Sequence, residues 1–350
     1  MLAAVLHAPN DLRVEQVDDP VIGAGELLVK VEACAICGTD LRIVKGTKTR
    51  GVHYPSIIGH EFAGTVVDVG QRVTNFAPGD HVAVAPIIPC RNCAYCVNGQ
   101  ENVCLNRVAI GYEFNGGFAE LVRIPAVVLE AGNMVKIDPG VPLEAAALAE
   151  PLSCCLNGQR KAGVKLNSTV VIIGAGPIGL MHIMLARAAG AAQIIVSELL
   201  PHRRERARAA GADRVIDPGR ENLLEIVKNC TNGLGADIVI LAIGVPALVN
   251  DALRLLRKGG HLNFFAGMPE GSTTSFDANL IHYNELRVSG TSASTRQDFY
   301  EALNLIVTGK IAAPSLISHR FPLREADQAF AVAFAGEGEK VLIYPSQAGR

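Results

Sequence analysis

Four of the nine cysteines lie within fifteen positions and have the spacing of a metal site. They are Cys90, Cys93, Cys96 and Cys104, and the three intervals between them contain two, two and seven residues. Four thiolates bind Zn²⁺ tetrahedrally, and such a closed sphere leaves no position for a substrate. Disulfides are the first alternative, but the cysteine count is odd and we expect no export signal, so the thiols should stay reduced. An iron–sulfur cluster is the second alternative, but such clusters usually have other cysteine spacings. The spacing therefore predicts a structural zinc site.

A glycine-rich turn follows an apolar run and indicates a dinucleotide site. Val170-Val-Ile-Ile-Gly174-Ala-Gly176-Pro177-Ile178-Gly179 is a predicted strand that leads into Gly-x-Gly-x-x-Gly and then a helix. The first glycine makes the tight turn, the second admits the pyrophosphate, and the third lets the helix pack on the strand. The helix N-terminus offers N–H groups to phosphates, and proline is tolerated there. A purely structural turn is the alternative.

An acidic residue in the following strand indicates which dinucleotide is bound. Glu198 lies 19 residues after Gly179, where a carboxylate accepts hydrogen bonds from the adenosine ribose and repels a 2′-phosphate. We therefore expect NAD rather than NADP. Arg203 and Arg204 are the contrary signal, because they could reach a 2′-phosphate, although a solvated helix face also explains them. Arg203 is in addition a candidate contact of the adenosine end.

A second, dispersed set of residues could bind a catalytic metal. Cys37-Gly-Thr39-Asp40 follows a predicted strand, Gly59-His60-Glu61 precedes another, and Glu150-Pro151 lies where the pattern of elements changes. Each part alone is weak, since a lone histidine is more often an ordinary buried residue. A thiolate, an imidazole, a carboxylate and an exchangeable water would form an open zinc site with Lewis acidity.

In their order along the chain, these motifs resemble the zinc-dependent medium-chain dehydrogenase/reductase superfamily. The resemblance covers essentially the whole chain and is closest to the polyol branch, which includes sorbitol, galactitol 1-phosphate, butanediol and L-threonine dehydrogenases. It implies that Cys37, His60 and Glu150 bind a catalytic zinc, with water or Glu61 completing the sphere. With the four-cysteine lobe, this makes two zinc ions per chain. In related alcohol dehydrogenases, a cysteine takes the position of Glu150.

The resemblance also implies roles for residues near the zinc. Asp40 would orient the imidazole of His60, as carboxylates near metal sites do. Thr39 would take the proton of the substrate hydroxyl, although a helix cap is its alternative role. Many relatives have a histidine where this chain has Arg42, and an arginine cannot accept a proton. The proton exit is therefore open, with His53 as one candidate.

Other assignments rest on position alone. Arg42, Lys45, Lys48 and Arg50 form a basic loop that a phosphorylated or carboxylated substrate could use, although a solvated loop is commoner. We expect the backbone at Ala266 and Gly267 to contact the nicotinamide end of the dinucleotide. Thr291 is expected to contact the same end. Positions that fall where the family has its substrate pocket are Tyr54, Phe118 and residues 290–292. We expect packing roles for the remaining cysteines: Cys34, Cys154, Cys155 and Cys230.

The elements that must position these residues change in character near residue 144. The earlier part has short valine- and isoleucine-rich runs punctuated by glycine and proline, which is typical of an antiparallel barrel. Later, buried strands alternate with helices, which indicates a parallel sheet covered on both faces. We predict an α/β protein with a doubly wound Rossmann sheet in an NAD-binding domain (156–289). A β-rich, GroES-like catalytic domain is predicted from both ends of the chain (1–155 and 290–350).

Composition bounds the function class. The 350 residues are 49% hydrophobic and 19% charged, which is enough apolar material for folded cores. A net charge of −2 gives no reason to expect nucleic acid as a partner. Mean hydropathy is +0.27, but polar residues interrupt the longest apolar stretch, and a bilayer span needs about 20 mostly uncharged residues. We expect a cytoplasmic protein and, from the resemblance, a homotetramer or homodimer.

The predicted activity is oxidation of a secondary alcohol of a polyol-like substrate to a ketone, with NAD⁺ as hydride acceptor. Alternatives are an L-threonine or other amino-alcohol dehydrogenase and a sugar-alcohol-phosphate dehydrogenase. From another class, a catalytically idle protein could bind NAD(H) as a sensor or structural component. Loss of Cys37, His60 or Glu150 would favour this last alternative, and all three are present.

Overall fold

The structure, a computed structural model, describes residues 1–346. Within this range the strands are, in chain order, β1 (Leu2–Ala8), β2 (Asp11–Gln16), β3 (Leu27–Ala35), β4 (Ser56–Ile57), β5 (Glu61–Val69), β6 (His81–Val84), β7 (Ile87–Ile88), β8 (Val108–Ala109), β9 (Leu121–Ile124), β10 (Met134–Ile137), β11 (Thr169–Ile173), β12 (Gln193–Ser197), β13 (Arg214–Ile216), β14 (Ala236–Leu241), β15 (Leu256–Phe264), β16 (Arg287–Gly290), β17 (Ile317–Pro322) and β18 (Lys340–Tyr344).

The α-helices follow the same order. They are α1 (Gly38–Val44), α2 (Ala94–Val97), α3 (Ala126–Glu130), α4 (Leu143–Ala146), α5 (Ala149–Ala162), α6 (Pro177–Ala188), α7 (Pro201–Ala209), α8 (Leu223–Cys230), α9 (Val249–Arg254), α10 (Ala278–Tyr283), α11 (Arg296–Val307) and α12 (Ala326–Ala335). In the described part of the chain, no helix combines the length and the apolar character that a membrane crossing requires.

The chain divides into two compact units. The first comprises Met1–Ser153 together with the residues from Ala293 onward, and the second comprises Cys154–Ser292. Each unit has its own hydrophobic core.

A seven-stranded sheet organises the first unit. Its order is β10-β6-β5-β3-β18-β17, and β9 also pairs with β3. Burial alternates along β3, with Leu27, Val29 and Val31 inside, because successive side chains of a strand point to opposite faces. β18 pairs antiparallel with β3, so a C-terminal strand continues the sheet that begins near the N-terminus.

A six-stranded parallel sheet organises the second unit. Its order is β13-β12-β11-β14-β15-β16, and all its pairings are parallel. β11, β12 and β14 are almost entirely buried, as expected of strands covered on both faces. The chain reverses its direction across the sheet between β11 and β14. Ligands of such sheets bind beyond the carboxyl ends of the strands at this point.

The predicted fold class is confirmed, but one predicted helix is too long. The sequence from Pro246 to Arg257 predicts a single helix, whereas α9 ends at Arg254 and β15 begins at Leu256. Leu256 pairs with Ala236 of β14 before a shift in register. Sheet pairing therefore overrides the local helix propensity there. The sequence also predicts a helix from Gln297 to Thr308, and α11 confirms it to within one residue at each end.

Candidate active site and cofactor-binding residues

Cys37 lies at the start of α1, and the helix holds its thiol in place. Cys37 is the N-cap residue, and its Sγ accepts a hydrogen bond of 3.4 Å from the backbone N–H of Thr39. The carboxylate of Asp40 completes the capping box by accepting the N–H of Cys37 at 2.9 Å. The local sequence Cys-Gly-Thr-Asp thus makes the helix start and orients the sulfur.

His60 precedes β5 and is oriented by the same carboxylate. Its Nδ1 lies 3.2 Å from Oδ1 of Asp40, and both residues are buried. This contact confirms the predicted role of Asp40 toward the imidazole, and it leaves Nε2 of His60 as the ring nitrogen for a metal. The ring of Tyr112 lies 5.3 Å from that of His60. Burial opposes protonation of His60, but Tyr112, Asp40 and Cys37 raise the pKa of the imidazole well above its usual value.

Glu61 forms a buried ion pair. Its Oε2 accepts a short hydrogen bond from Nζ of Lys340, which also donates to the carbonyl of Ile36 at 3.2 Å. Both charged side chains are at most 4% exposed. Burial opposes the charge of Lys340, but Glu61 and Cys37 raise its pKa above the usual value. The second oxygen, Oε1, is buried and has no hydrogen-bond partner among the described residues.

The ligand atoms of Cys37, His60 and Glu61 lie within 4.8 Å of one another. A soft thiolate, an imidazole and a carboxylate oxygen are the ligand types that Zn²⁺ takes. The unpartnered Oε1 of Glu61 is a buried acceptor that a cation would satisfy. The residues present therefore fit zinc.

Glu150 lies in the first turn of α5 and is buried, but it is not part of this close group. It is near enough to raise the pKa values of Tyr112 and Lys340 by its charge. The geometry thus gathers Glu61 with Cys37 and His60, and the assignment of Glu150 as a ligand stays a prediction.

Thr39 is engaged by the arginine that replaces the expected histidine. Nη2 of Arg42 donates to Oγ1 of Thr39 at 3.1 Å. His53 is exposed and lines a cavity of about 300 Å³ together with Glu113 and Asn115. The contact of Arg42 follows from helical geometry, since residues three apart share a helix face.

The four cysteines of the second cluster have the separations of a zinc tetrahedron. Their sulfurs lie 3.6 Å (Cys93–Cys96), 3.8 Å (Cys93–Cys104) and 4.0 Å (Cys90–Cys96) apart. With zinc–sulfur bonds of about 2.3 Å, the edge of a tetrahedron is about 3.8 Å. Backbone N–H groups of Cys96 and Leu105 lower the pKa of Cys93 to about 6, so a thiolate is present at neutral pH. None of the nine cysteines forms a disulfide.

An ion pair ties this lobe to α11. Nε of Arg296 donates to Oε2 of Glu101 at 2.9 Å, and Nη2 donates to Oε1 at 2.5 Å. Glu101 lies between Cys96 and Cys104. Arg296 also donates to the carbonyl of Ala131, so one guanidinium joins three segments of the first unit.

The glycine turn of the second unit follows β11 and leads into α6. Gly174 has φ of 100°, which favours glycine, and a Cβ on Gly179 would lie 2.0 Å from the carbonyl oxygen of Gly174. Both glycines are therefore required by the fold. A Cβ on Gly176 would meet nothing nearer than a guanidinium nitrogen of Arg203 at 3.9 Å, so the fold leaves open space there. This space fits a dinucleotide phosphate at the start of α6, whose first residues are Pro177 and Ile178.

Glu198 follows β12 and is fixed by backbone donors. Its two carboxylate oxygens accept the N–H groups of Ala175 at 2.8 Å and of Leu200 at 3.0 Å. It lines a cavity of about 570 Å³ together with Gly174 and Ile243. Arg204 is committed elsewhere, because it donates to the carbonyls of Glu198 and Leu199 and pairs with Asp217. Of the two arginines, Arg203 is therefore the one placed at the glycine turn.

The residues predicted for the nicotinamide end lie at the same edge of the sheet. The N–H of Ala266, which follows β15, donates to the carbonyl of Leu241 at 3.0 Å. A Cβ on Gly267 would meet no atom within 4 Å. Thr291 follows β16, and its hydroxyl donates to Asn263 at 3.2 Å. These positions share the carboxyl edge with Gly174, since all strands of this sheet are parallel.

Two outcomes correct or extend the sequence predictions. The prediction that Phe118 lines the substrate pocket is wrong, because its side chain is fully buried in the core of the first unit. Its ring lies 5.4 Å from the ring of Phe330. Lys340 and Tyr112 were missed, although both adjoin the candidate metal ligands. A lysine that begins the otherwise apolar strand β18 was a weak signal for the first, and Tyr112 gave none.

Comparison with known proteins identifies the family. Residues 23–134 match the alcohol dehydrogenase GroES-like domain, and residues 177–308 match the zinc-binding dehydrogenase domain. The L-threonine 3-dehydrogenase of Caldanaerobacter subterraneus subsp. tengcongensis is 33% identical over 93% of both chains. The sorbitol dehydrogenase of Bacillus subtilis is 31% identical over 99% of this chain and 98% of that one.

The chain belongs to the zinc-dependent medium-chain dehydrogenase/reductase superfamily. A solved zinc-binding dehydrogenase of Sinorhizobium meliloti, bound to NADP, has a TM-score of 0.92 and 35% identity, and the match covers 98% of this chain and 99% of that one. As a member of the superfamily, the protein is an oxidoreductase of the zinc-dependent dehydrogenase type. The predicted superfamily is confirmed.

Proposed function

We propose that this protein oxidises a secondary alcohol of a polyol-like substrate to a ketone, with zinc and NAD⁺. The observation that carries the proposal is the group of Cys37, His60 and Glu61, whose ligand atoms converge within 4.8 Å beside Thr39 in a chain of this family. The relative named sorbitol dehydrogenase supports the polyol as substrate class.

The proposed residues fall into two zinc sites. In this proposal Cys37, His60 and Glu150 hold the catalytic zinc, with water or Glu61 completing the sphere. The structural zinc is held by Cys90, Cys93, Cys96 and Cys104. When bound, zinc supplies the Lewis acidity that lowers the pKa of a substrate hydroxyl, and NAD⁺ accepts the hydride of the same carbon. Lys340 pairs with Glu61, and Asp40 keeps His60 oriented.

Thr39 is the proposed first acceptor of the substrate proton. A threonine hydroxyl has two lone pairs and one hydrogen, and Arg42 uses one lone pair at 3.1 Å. The other lone pair accepts the substrate proton as the hydroxyl hydrogen moves onward. Because Arg42 cannot take that hydrogen, it holds the hydroxyl in place while a water receives the proton.

NAD⁺ is the proposed dinucleotide. Gly174, Gly176, Pro177, Ile178 and Gly179 would face the pyrophosphate, and Glu198 the adenosine ribose. Arg203 would contact the adenosine end, and Ala266, Gly267 and Thr291 the nicotinamide end. The accompanying domain proposal assigns residues 156–289 to NAD binding, and 1–155 with 290–350 to zinc and substrate. We also propose that the protein is cytoplasmic and forms a homotetramer or homodimer. Light scattering of the purified protein would test the oligomeric state.

L-Threonine is a second candidate substrate. The similar protein from Caldanaerobacter is an L-threonine 3-dehydrogenase and spans the same length. L-Threonine is an amino alcohol with a secondary hydroxyl like that of a polyol. The same zinc ligands and the same proton transfer through Thr39 would therefore act on it.

The deciding experiment is a screen of polyols, polyol phosphates and amino alcohols for NADH formation by the zinc-loaded protein. We expect a secondary alcohol to give NADH, and Cys37→Ser to abolish turnover while leaving NADH binding unchanged. Cys230→Ser, the same change in a cysteine outside both clusters, should retain turnover. An idle NAD(H)-binding protein would bind NADH and oxidise none of the compounds, and unchanged turnover in Cys37→Ser would exclude the proposed site.

A further inference from the structure

Basic side chains from two separate segments act on one ammonium group, that of Lys48, near the candidate active site. Arg42 lies in α1, Lys48 and Arg50 follow that helix, and Arg107 immediately precedes β8. We call Arg42, Lys48 and Arg107 the rim cations. A solvated basic loop would explain charges from one segment, but it does not explain why Arg107 joins them.

Tyr112 connects the rim cations to the candidate ligands. Nζ of Lys48 lies 4.2 Å from the centroid of the Tyr112 ring, and the other neighbour of that ring is His60 at 5.3 Å. One aromatic ring thus separates a cation from a candidate zinc ligand. Arg42 contacts the site through its hydrogen bond to Thr39.

Three arginines and one glutamate act on the ammonium group of Lys48. Partial burial lowers the pKa of Lys48, and Arg107, Arg42 and Arg50 add to this effect, while Glu113 opposes it. Glu113 already accepts the N–H of Ala109 at 2.8 Å. Lys48 uses one N–H on the carbonyl of Arg50 at 2.6 Å, which leaves further donors on the ammonium group. Arg107 donates from Nη1 to the carbonyl of Asn102 at 2.7 Å, and its guanidinium has further N–H groups. Cations gathered in this way bind an anion favourably.

Building on the dehydrogenase activity proposed above, we propose that the substrate carries a carboxylate or phosphate, which Lys48 and Arg107 bind while its hydroxyl reacts beside Thr39. Arg42 serves both functions, since it orients Thr39 and adds to the same positive field. Charge-assisted hydrogen bonds from two cations give the specificity, because a neutral polyol leaves those donors without an acceptor.

The test compares three substrates that share one carbon skeleton: a hexitol, its 1-phosphate and the corresponding hexonate. L-Threonine is included as a second carboxylate. For the native protein we expect kcat/KM to be at least about tenfold higher for one charged compound than for the neutral hexitol. The higher value, for phosphate or for carboxylate, identifies the anionic group. Raising the ionic strength should lower kcat/KM for the charged compound only.

Lys48→Gln and Arg107→Gln should each raise KM for the charged substrate about tenfold and leave kcat/KM for the hexitol within about twofold. Lys45→Gln is the matched control, because Lys45 belongs to the same loop but packs over the ring of Phe334 at 4.8 Å. It should change neither substrate. Equal loss for charged and neutral substrates, or a native preference for the neutral hexitol, would overturn the proposal.

Calorimetry separates this proposal from the activity on which it rests. Hexonate and hexitol 1-phosphate are titrated into zinc-loaded protein saturated with NADH, so that the dinucleotide site is filled. At least one should bind about tenfold more weakly to Lys48→Gln than to the native protein. If no compound yields NADH while this difference is seen, the oxidation is wrong and the anion site stands; equal binding by both proteins refutes the anion site.

Discussion

Asp40 and Lys340 show how single residues arrange the candidate active site. The carboxylate of Asp40 accepts the N–H of Cys37 through one oxygen and contacts His60 through the other. The orientation of two candidate ligands that are separated in sequence therefore depends on one side chain. Lys340 acts on the third candidate, Glu61, from a strand 279 positions away. Both contacts position a candidate ligand and leave free the atom that it would offer to a metal.

Lys340→Met is expected to destabilise the protein most when zinc is absent. Removing one partner of a buried ion pair leaves an uncompensated charge and costs about 3–5 kcal/mol. Zinc beside Glu61 would replace much of the lost positive charge. Urea unfolding of chelated and zinc-loaded protein measures the difference. Lys136→Met, which breaks an exposed pair with Asp80, should cost less than about 1 kcal/mol in either state.

Glu198→Ala is expected to narrow the preference for NAD⁺ over NADP⁺. The carboxylate is fixed by the N–H groups of Ala175 and Leu200, and its charge would repel a 2′-phosphate near Arg203. Loss of the charge should lower kcat/KM for NAD⁺ by about tenfold and raise it for NADP⁺. Glu205→Ala, an exposed change in α7, serves as the control. A variant that keeps its full preference for NAD⁺ would contradict this role.

At the scale of elements, the lobe with four cysteines depends on its attachment to α11. Arg296 joins Glu101 and the carbonyl of Ala131, and Glu101 lies inside the loop that carries the cysteines. Because α2 has only four residues and no buried side chain, the lobe has little core of its own. Its shape therefore depends on metal, on this ion pair and on backbone hydrogen bonds to sulfur.

Arg296→Gln should accelerate the loss of one zinc ion from each chain under chelator challenge. The native protein should contain about two zinc ions per chain, and the variant should release one of them several times faster. A chromogenic chelator records the time course. Arg13→Gln breaks an exposed pair with Asp11 and should release zinc at the native rate. Equal rates for both variants would show that the ion pair does not hold the lobe.

The elements also show which parts of the site the sequence could predict. The cysteine cluster and the glycine turn were found because their residues are close in sequence, so spacing alone carries the chemistry. The start of β15 at Leu256 was missed, because its pairing with Ala236 is a tertiary contact. Tyr112 and Lys340 were missed for the same reason, since β18 and the segment before β9 meet His60 and Glu61 only in the folded unit.

At the scale of the whole molecule, chemistry-bearing residues of each unit depend on a separate core. The candidate zinc ligands Cys37, His60 and Glu61 belong to the first unit, whereas the glycine turn belongs to the second. The second unit buries His182 on α6 completely, next to Gln159 and 4.5 Å from the ring of Phe265. This imidazole lies outside both proposed zinc sites, so it reports on stability alone.

His182 makes the stability of the protein depend on pH. Burial lowers the pKa of His182 from 6.5 to about 3. Between these values the unfolded chain binds a proton that the folded chain does not. Stability from the neutral imidazole is therefore fully present above pH 6.5 and falls as the pH decreases toward 3. The expected slope is about 1.4 kcal/mol per pH unit below pH 6.

Replacing His182 by glutamine should remove this slope, because the side chain no longer titrates. Urea unfolding followed by circular dichroism between pH 5 and pH 8, about one and a half units on either side of the pKa in the unfolded chain, measures the slope. The variant will be less stable at pH 8 from altered packing, but the difference from the native protein should shrink by about 1–2 kcal/mol at pH 5. His202→Gln, an exposed change in α7, should keep the native slope. Parallel pH profiles for the native protein and His182→Gln would mean that the imidazole binds its proton equally in the folded and unfolded chain, and that burial does not lower its pKa.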